Sequence, residues 1–118
     1  MRLVSFAAAA LITALTGCSG GGLARDIVTP RPDNPHQVVI WEYKFKPDTL
    51  AVPLGTTVTW VNRDVAPHTA THRSFTAEPF DSGHMPGSAI YAHRFHTAGS
   101  YDYLCIYHQG MRGTIVVQ

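Results

Sequence analysis

Beyond residue 37 the chain is a series of short β-branched and aromatic runs, and proline or glycine breaks them so often that no helical period develops. Residues 38–45 read as one strand, with Tyr43 and Phe45 alternating against Glu42, Lys44 and Lys46. Pro47-Asp48 turns the chain, residues 49–52 form a short run, and Pro53-Leu54-Gly55 turns it again. Residues 57–61 then place Val58 and Trp60 on one face. Further strands are expected near residues 68–72 and over 90–96, 100–105 and 113–117. Residues 74–88, with Pro79, Gly83, Pro86 and Gly87, are the least regular piece. Seven to eight short strands with frequent turns predict an all-β fold of β-sandwich type.

The 118 residues carry 9 Lys and Arg against 8 Asp and Glu, a net charge of +1. So balanced a chain lacks the basic stripe that grips a phosphate backbone, and nucleic acid is excluded as a partner. Two cysteines are too few for a disulfide scaffold. At the N-terminus, Met1 and Arg2 precede an apolar, alanine-rich stretch from Leu3 to Leu15, the pattern of a secretory signal and too short to span a bilayer. It ends in Leu15-Thr16-Gly17-Cys18, which resembles a bacterial lipobox. That resemblance implies that Cys18 is acylated and becomes the new N-terminus. An ordinary secretory signal with an incidental cysteine is the alternative.

The expected organisation is a lipoprotein signal over 1–17, a flexible tether over 18–36 and one domain over 37–118. The tether holds Gly20, Gly21, Gly22, Pro30, Pro32 and Pro35, shows no apolar periodicity, and leaves His36 solvated. Cleavage before Cys18 leaves 101 residues with 8 basic and 8 acidic side chains.

With Cys18 assigned to lipid, Cys105 is a lone thiol in an oxidising compartment. Its neighbours give it a purpose. Cys105-Ile106-Tyr107-His108-Gln109-Gly110-Met111 spaces a thiolate, an imidazole and a thioether three apart. That donor set suits copper in a trigonal site with a long axial bond. Hard ions want carboxylates, and zinc wants four firm nitrogen or sulfur ligands. A second imidazole is required, and Pro67-His68, after Asn62-Arg63-Asp64, is the best candidate. Strand alternation sets Tyr101, Tyr103 and Cys105 on one inward face.

At these residues the chain resembles the cupredoxins, the small blue copper proteins. Residues 60–68, residues 99–105 and Cys105-x2-His108-x2-Met111, with residues 112–117 after it, carry the likeness. The two-residue spacing before the methionine looks most like the amicyanin branch. The resemblance implies a Greek-key β-sandwich, cupredoxin-like, binding one type 1 copper. His68 and His108 would be its imidazoles, Cys105 its thiolate and Met111 its weak axial ligand, with a Thr69 N–H to the sulfur. It implies a single-electron carrier that is not an enzyme, with His108 as the port. Its partners would be redox proteins such as cytochromes, dehydrogenases or terminal reductases and oxidases. The expected protein is a monomer held by lipid to a bacterial membrane on the periplasmic or extracytoplasmic side, the outer membrane if there is one. Copper delivery or sequestration is the alternative function. A multicopper enzyme resembles chains with several His-x-His pairs, and here there is only His93-x2-His96.

Two positions depart from the family pattern. Tyr107 and Gln109 stand where prolines are common, which predicts a less rigid ligand loop. The remaining histidines read differently from the ligands. His72 lies four residues beyond His68, about 13 Å along a strand and too far to share a metal. His93 alternates with Tyr91 and Phe95 and reads as a core histidine, while His84 and His96 read as surface. A weak second copper site at His84 and Met85 is a further possibility. Trp41, Trp60, Tyr101 and Tyr103 read as core aromatics.

Overall fold

A computed structural model describes residues 34–73 and 75–118. The signal segment, Cys18 and the tether as far as residue 33 lie outside the described residues. Eight strands form, numbered in chain order: β1 Gln37–Trp41, β2 Lys44–Lys46, β3 Thr49–Val52, β4 Thr57–Asn62, β5 Thr71–His72, β6 Ile90–Arg94, β7 Gly99–Leu104 and β8 Arg112–Val117. They make two four-stranded sheets, ordered β2-β1-β4-β6 and β3-β8-β7-β5. The described residues contain no helix, and the all-β sandwich expected from the alternation is the fold that forms.

Alternation decides what lies between the sheets. Val38 and Ile40 of β1, Val58 and Trp60 of β4, Tyr101 and Tyr103 of β7, and Ile115 of β8 are all buried. Phe80, from the irregular stretch before β6, plugs the centre. Its ring stacks on Trp60 at 5.4 Å and meets Phe95 edge-on at 5.5 Å. Gly113 of β8 lies opposite Tyr103 in the ladder, and a Cβ there would overlap the tyrosine ring, so only glycine lets that ring lie flat.

Register then places the functional residues. β7 and β8 pair antiparallel as far as Leu104 opposite Arg112, so the Cys105-to-Met111 segment is the loop that joins them at one pole. β5 pairs with β7 through Thr71 opposite Leu104, which brings the residues just before β5, His68 and Thr69, beside Cys105. His68 also pairs with Met85 through two backbone hydrogen bonds of 3.0 and 2.9 Å.

Three expectations need correction. Residues 38–45 are a hairpin, because Glu42 and Tyr43 take left-handed backbone angles with φ of 53° and 59° and fold β2 back onto β1. Neither is glycine or asparagine, so the usual sequence sign of such a turn is missing. Trp41 is not core: Val38 and Ile40 fill the inward positions of β1, which leaves Trp41 on the outer face, 45% exposed. The strand expected near 68–72 shrinks to Thr71–His72, flanked by isolated bridges.

Glu78 fastens the irregular stretch to the end of β6. Its carboxylate takes the His96 and Thr97 backbone N–H groups at 2.8 and 3.2 Å, and lies 2.9 Å from His96 Nδ1 and 3.3 Å from His93 Nε2. Burial raises the Glu78 pKa, but the His96 bonds and the nearby imidazoles outweigh it and leave the value below the ordinary 4.5. A depressed carboxylate stabilises the fold fully above its unfolded pKa and loses that contribution as pH falls through its folded pKa. Glu78→Gln should therefore lower the unfolding free energy by about 1–2 kcal/mol at neutral pH. In urea unfolding, the gap between variant and wild type should close as pH falls from neutral through the depressed Glu78 pKa, which lies below 4.5. A gap of constant size across that range would contradict the account.

Candidate metal centre

Three donors meet at the pole where β4, β5, β7 and β8 end. The ligand atoms of His68, Cys105 and His108 all lie within 4.8 Å of one another. Cys105 Sγ is 3.7 Å from His68 Nδ1 and 3.6 Å from His108 Nδ1. Metal bonds of about 2.0–2.1 Å to nitrogen and 2.3 Å to sulfur, opened to 110–120°, separate sulfur from nitrogen by about 3.6–3.8 Å. The spacing fits one metal ion between the three.

Each donor is held by the chain around it. Cys105 continues the inward face of Tyr101 and Tyr103 and is fully buried. The Thr69 N–H points at its sulfur from 3.4 Å, as expected from the sequence. His68 is fully buried as well, and its Nε2 lies 2.8 Å from Asp64 Oδ2. A proton shared there leaves the Nδ1 lone pair facing Cys105. His108 is half-buried. Met111 is buried, its carbonyl accepts the Cys105 N–H at 3.1 Å and its own N–H reaches the His108 carbonyl at 2.8 Å, so the loop closes on itself.

Asp64 does more than meet His68. Its carboxylate also accepts the Glu42 and Tyr43 backbone N–H groups at 2.8 and 2.9 Å. The left-handed turn of the first hairpin is thereby tied to the histidine. Burial raises the Asp64 pKa, yet the Tyr43 and Glu42 amides, then His68, pull it below the ordinary carboxylate value. Upstream, Asn62 is fully buried. Its Oδ1 takes the Asp64 N–H at 3.0 Å while its Nδ2 reaches the Ala66 and Met85 carbonyls. The turn also carries the Tyr43 ring over the site, edge-on to His68 at 5.3 Å and to His108 at 4.9 Å.

Reading the sequence missed Asp64, Asn62 and Tyr43 as parts of this site. Asn-x-Asp before Pro-His is a local turn signal, but its partner, the turn at Glu42 and Tyr43, lies more than twenty residues away. The less rigid ligand loop expected from Tyr107 has a tie of its own, a 2.8 Å hydrogen bond between the Tyr107 hydroxyl and His84 Nδ1. His72 stands apart, with Nδ1 engaged by the Phe80 backbone at 2.7 Å. His96 is exposed, as expected, while His93 packs on Phe95 at 4.7 Å but is only partly buried and not the core histidine expected, because its Nε2 reaches out to Glu78, which His96 also meets. The pairing of His84 with Met85 does not form, since Met85 turns into the core and His84 outward.

A cysteine sulfur and two imidazoles, with Met111 buried at the end of the same loop, are a soft, nitrogen-and-sulfur set, fitted to copper rather than to an oxygen-seeking ion. Residues 36–118 match the copper binding proteins of the plastocyanin/azurin family. The chain belongs to that family. Amicyanin-alpha of Methylorubrum extorquens is 29% identical over 120 residues, the whole of both chains. A reduced amicyanin variant superposes with a TM-score of 0.69 at 31% identity, covering 77% of this chain and 89% of that one. A copper-containing nitrite reductase from Thermus scotoductus gives 0.68 at 32% identity over 71% of this chain, which spans only 22% of that enzyme.

Removing the Asp64 carboxylate should loosen the site from two directions. Asp64→Ala leaves His68 Nε2 and two turn amides without their acceptor, a loss of roughly 2–4 kcal/mol. Urea unfolding of the metal-free protein measures it. A loss below about 0.5 kcal/mol, the range of an ordinary surface substitution, would contradict the role given to Asp64.

Proposed function

We propose that this protein is a membrane-tethered electron carrier, with one type 1 copper held by His68, Cys105, His108 and Met111. The observation that carries the reading is the meeting of a buried thiol and two Nδ1 atoms at 3.6–3.7 Å on a rigid sheet end. A bound copper supplies a one-electron couple between Cu(II) and Cu(I). The chain supplies the fixed surroundings. Asp64 and the Met85 backbone hold His68, the β7–β8 register holds Cys105, and the loop bonds of Met111 hold the second imidazole near the surface. Donors that stay in place between oxidation states keep the reorganisation cost of each transfer small.

His108 is the port. It is the less buried imidazole, and Tyr43, Ile106 and Tyr107 beside it are all about half exposed. A small, partly apolar patch suits the brief encounters of redox proteins such as cytochromes, dehydrogenases or terminal reductases and oxidases. The Leu15-to-Cys18 segment supports acylation of Cys18 and a place on the extracytoplasmic side of a bacterial membrane, where a tether raises the local concentration of partners. The likeness to a nitrite reductase covers one small part of that enzyme, whereas the likeness to an amicyanin runs the whole length of both chains and supports transport.

The copper-loaded protein should show an intense blue thiolate-to-copper absorption and a narrow copper hyperfine splitting in its EPR spectrum, both lost in Cys105→Ser. Stopped-flow exchange with a small cytochrome should outrun copper release to a chelator. A colourless protein that takes only zinc would overturn the reading. Slow reduction with rapid copper transfer would favour delivery. Fatty-acid labelling that survives in Cys18→Ala would overturn the anchor.

A further inference from the structure

A line of hydroxyls runs from the copper thiolate's own peptide to the surface. The Ile106 N–H, in the peptide that follows Cys105, donates to Thr69 Oγ1 at 2.9 Å. Thr69 Oγ1 lies 2.9 Å from Thr71 Oγ1, which lies 3.0 Å from Asp81 Oδ1. The same carboxylate oxygen takes the Gly83 N–H of its own segment at 2.9 Å, and Thr71 and Asp81 face each other in an isolated bridge. Thr69 is buried, Thr71 half-buried and Asp81 exposed.

The protons in this line have one consistent order. A carboxylate only accepts, and each hydroxyl has one proton to give. Thr71 therefore donates to Asp81, Thr69 donates to Thr71, and the Thr69 oxygen is left to receive the Ile106 N–H. All three dipoles point the same way, toward the negative charge, and each strengthens the next. Thr69 is also the residue whose backbone N–H meets Cys105 Sγ at 3.4 Å. Whatever fixes the Thr69 side chain fixes that contact too.

We infer that Thr71 and Asp81 are positioning residues for the copper thiolate, acting through Thr69 on the Cys105–Ile106 peptide and on the N–H that faces the sulfur. An N–H directed at the sulfur draws electron density from it and favours the reduced metal. Breaking the line should therefore lower the reduction potential. The inference rests on Cys105 as the copper ligand, and one of its two readouts does not need the metal.

Thr71→Val removes the hydroxyl while keeping shape and charge, and Thr71→Ser restores it. In the metal-free protein the Ile106 amide should exchange with solvent about fivefold faster in Thr71→Val, the factor carried by one typical hydrogen bond. In the copper-loaded protein the potential should fall, and Thr71→Ser should return both quantities toward wild type. Either readout unchanged in Thr71→Val, or no recovery in Thr71→Ser, overturns the inference. Should Thr71→Val fail to fold, Asp81→Ala tests the same line from the exposed end. It should also speed Ile106 exchange, and an unchanged rate there overturns the inference equally. A wild-type protein without a blue band would instead fault the copper reading.

Discussion

The Asp64 carboxylate accepts two turn amides and meets a buried imidazole, and the pole of the sandwich is built around it. Without it, two non-glycine residues have no compensation for left-handed backbone angles, and a fully buried ring nitrogen has no partner. With it, the first hairpin, the end of β4 and His68 become one rigid unit. The Tyr43 ring arrives over both imidazoles as a consequence of the same bond. A depressed carboxylate pKa is the expected companion of so many donors around one group.

The other half of the site depends on sheet register. Cys105 is reached only because β7 pairs with β8 up to Leu104, and it is desolvated because it continues the row of Tyr101 and Tyr103. The Thr69 N–H faces its sulfur, and a copper ion held there would offset the charge of the thiolate ligand. The scaffold thus divides the work. β5 and β7 set the thiolate, Asp64 sets one imidazole, and the closed loop to Met111 sets the other near solvent. Such a site can exchange an electron at its edge while its centre stays still.

Much of this was legible in the sequence, for a physical reason. Strand alternation has a period of two, so the inward row of Tyr101, Tyr103 and Cys105 could be read directly, and so could Val58 with Trp60. The donor types and their three-residue spacing named the metal's character before any coordinates. What escaped was long-range or chemically silent. The turn at Glu42 and Tyr43 has no glycine to announce it and is captured by a carboxylate far along the chain. Trp41 looked like core because aromatic residues favour interiors, but which face of β1 turns inward was decided by Val38 and Ile40. The roles of Glu78 and Asp81 depend on how an irregular stretch folds back, and no periodicity encodes that.

The central claim is that the protein, not the metal, fixes the donor geometry. Crystal structures of the metal-free and copper-loaded protein, compared atom by atom, test it most directly. Cys105 Sγ and the Nδ1 atoms of His68 and His108 should keep their places within about 0.5 Å, with the Asp64–His68 contact intact in both. A metal-free structure in which the His68 ring has left Asp64, or the Cys105 thiol has turned to solvent, would contradict it.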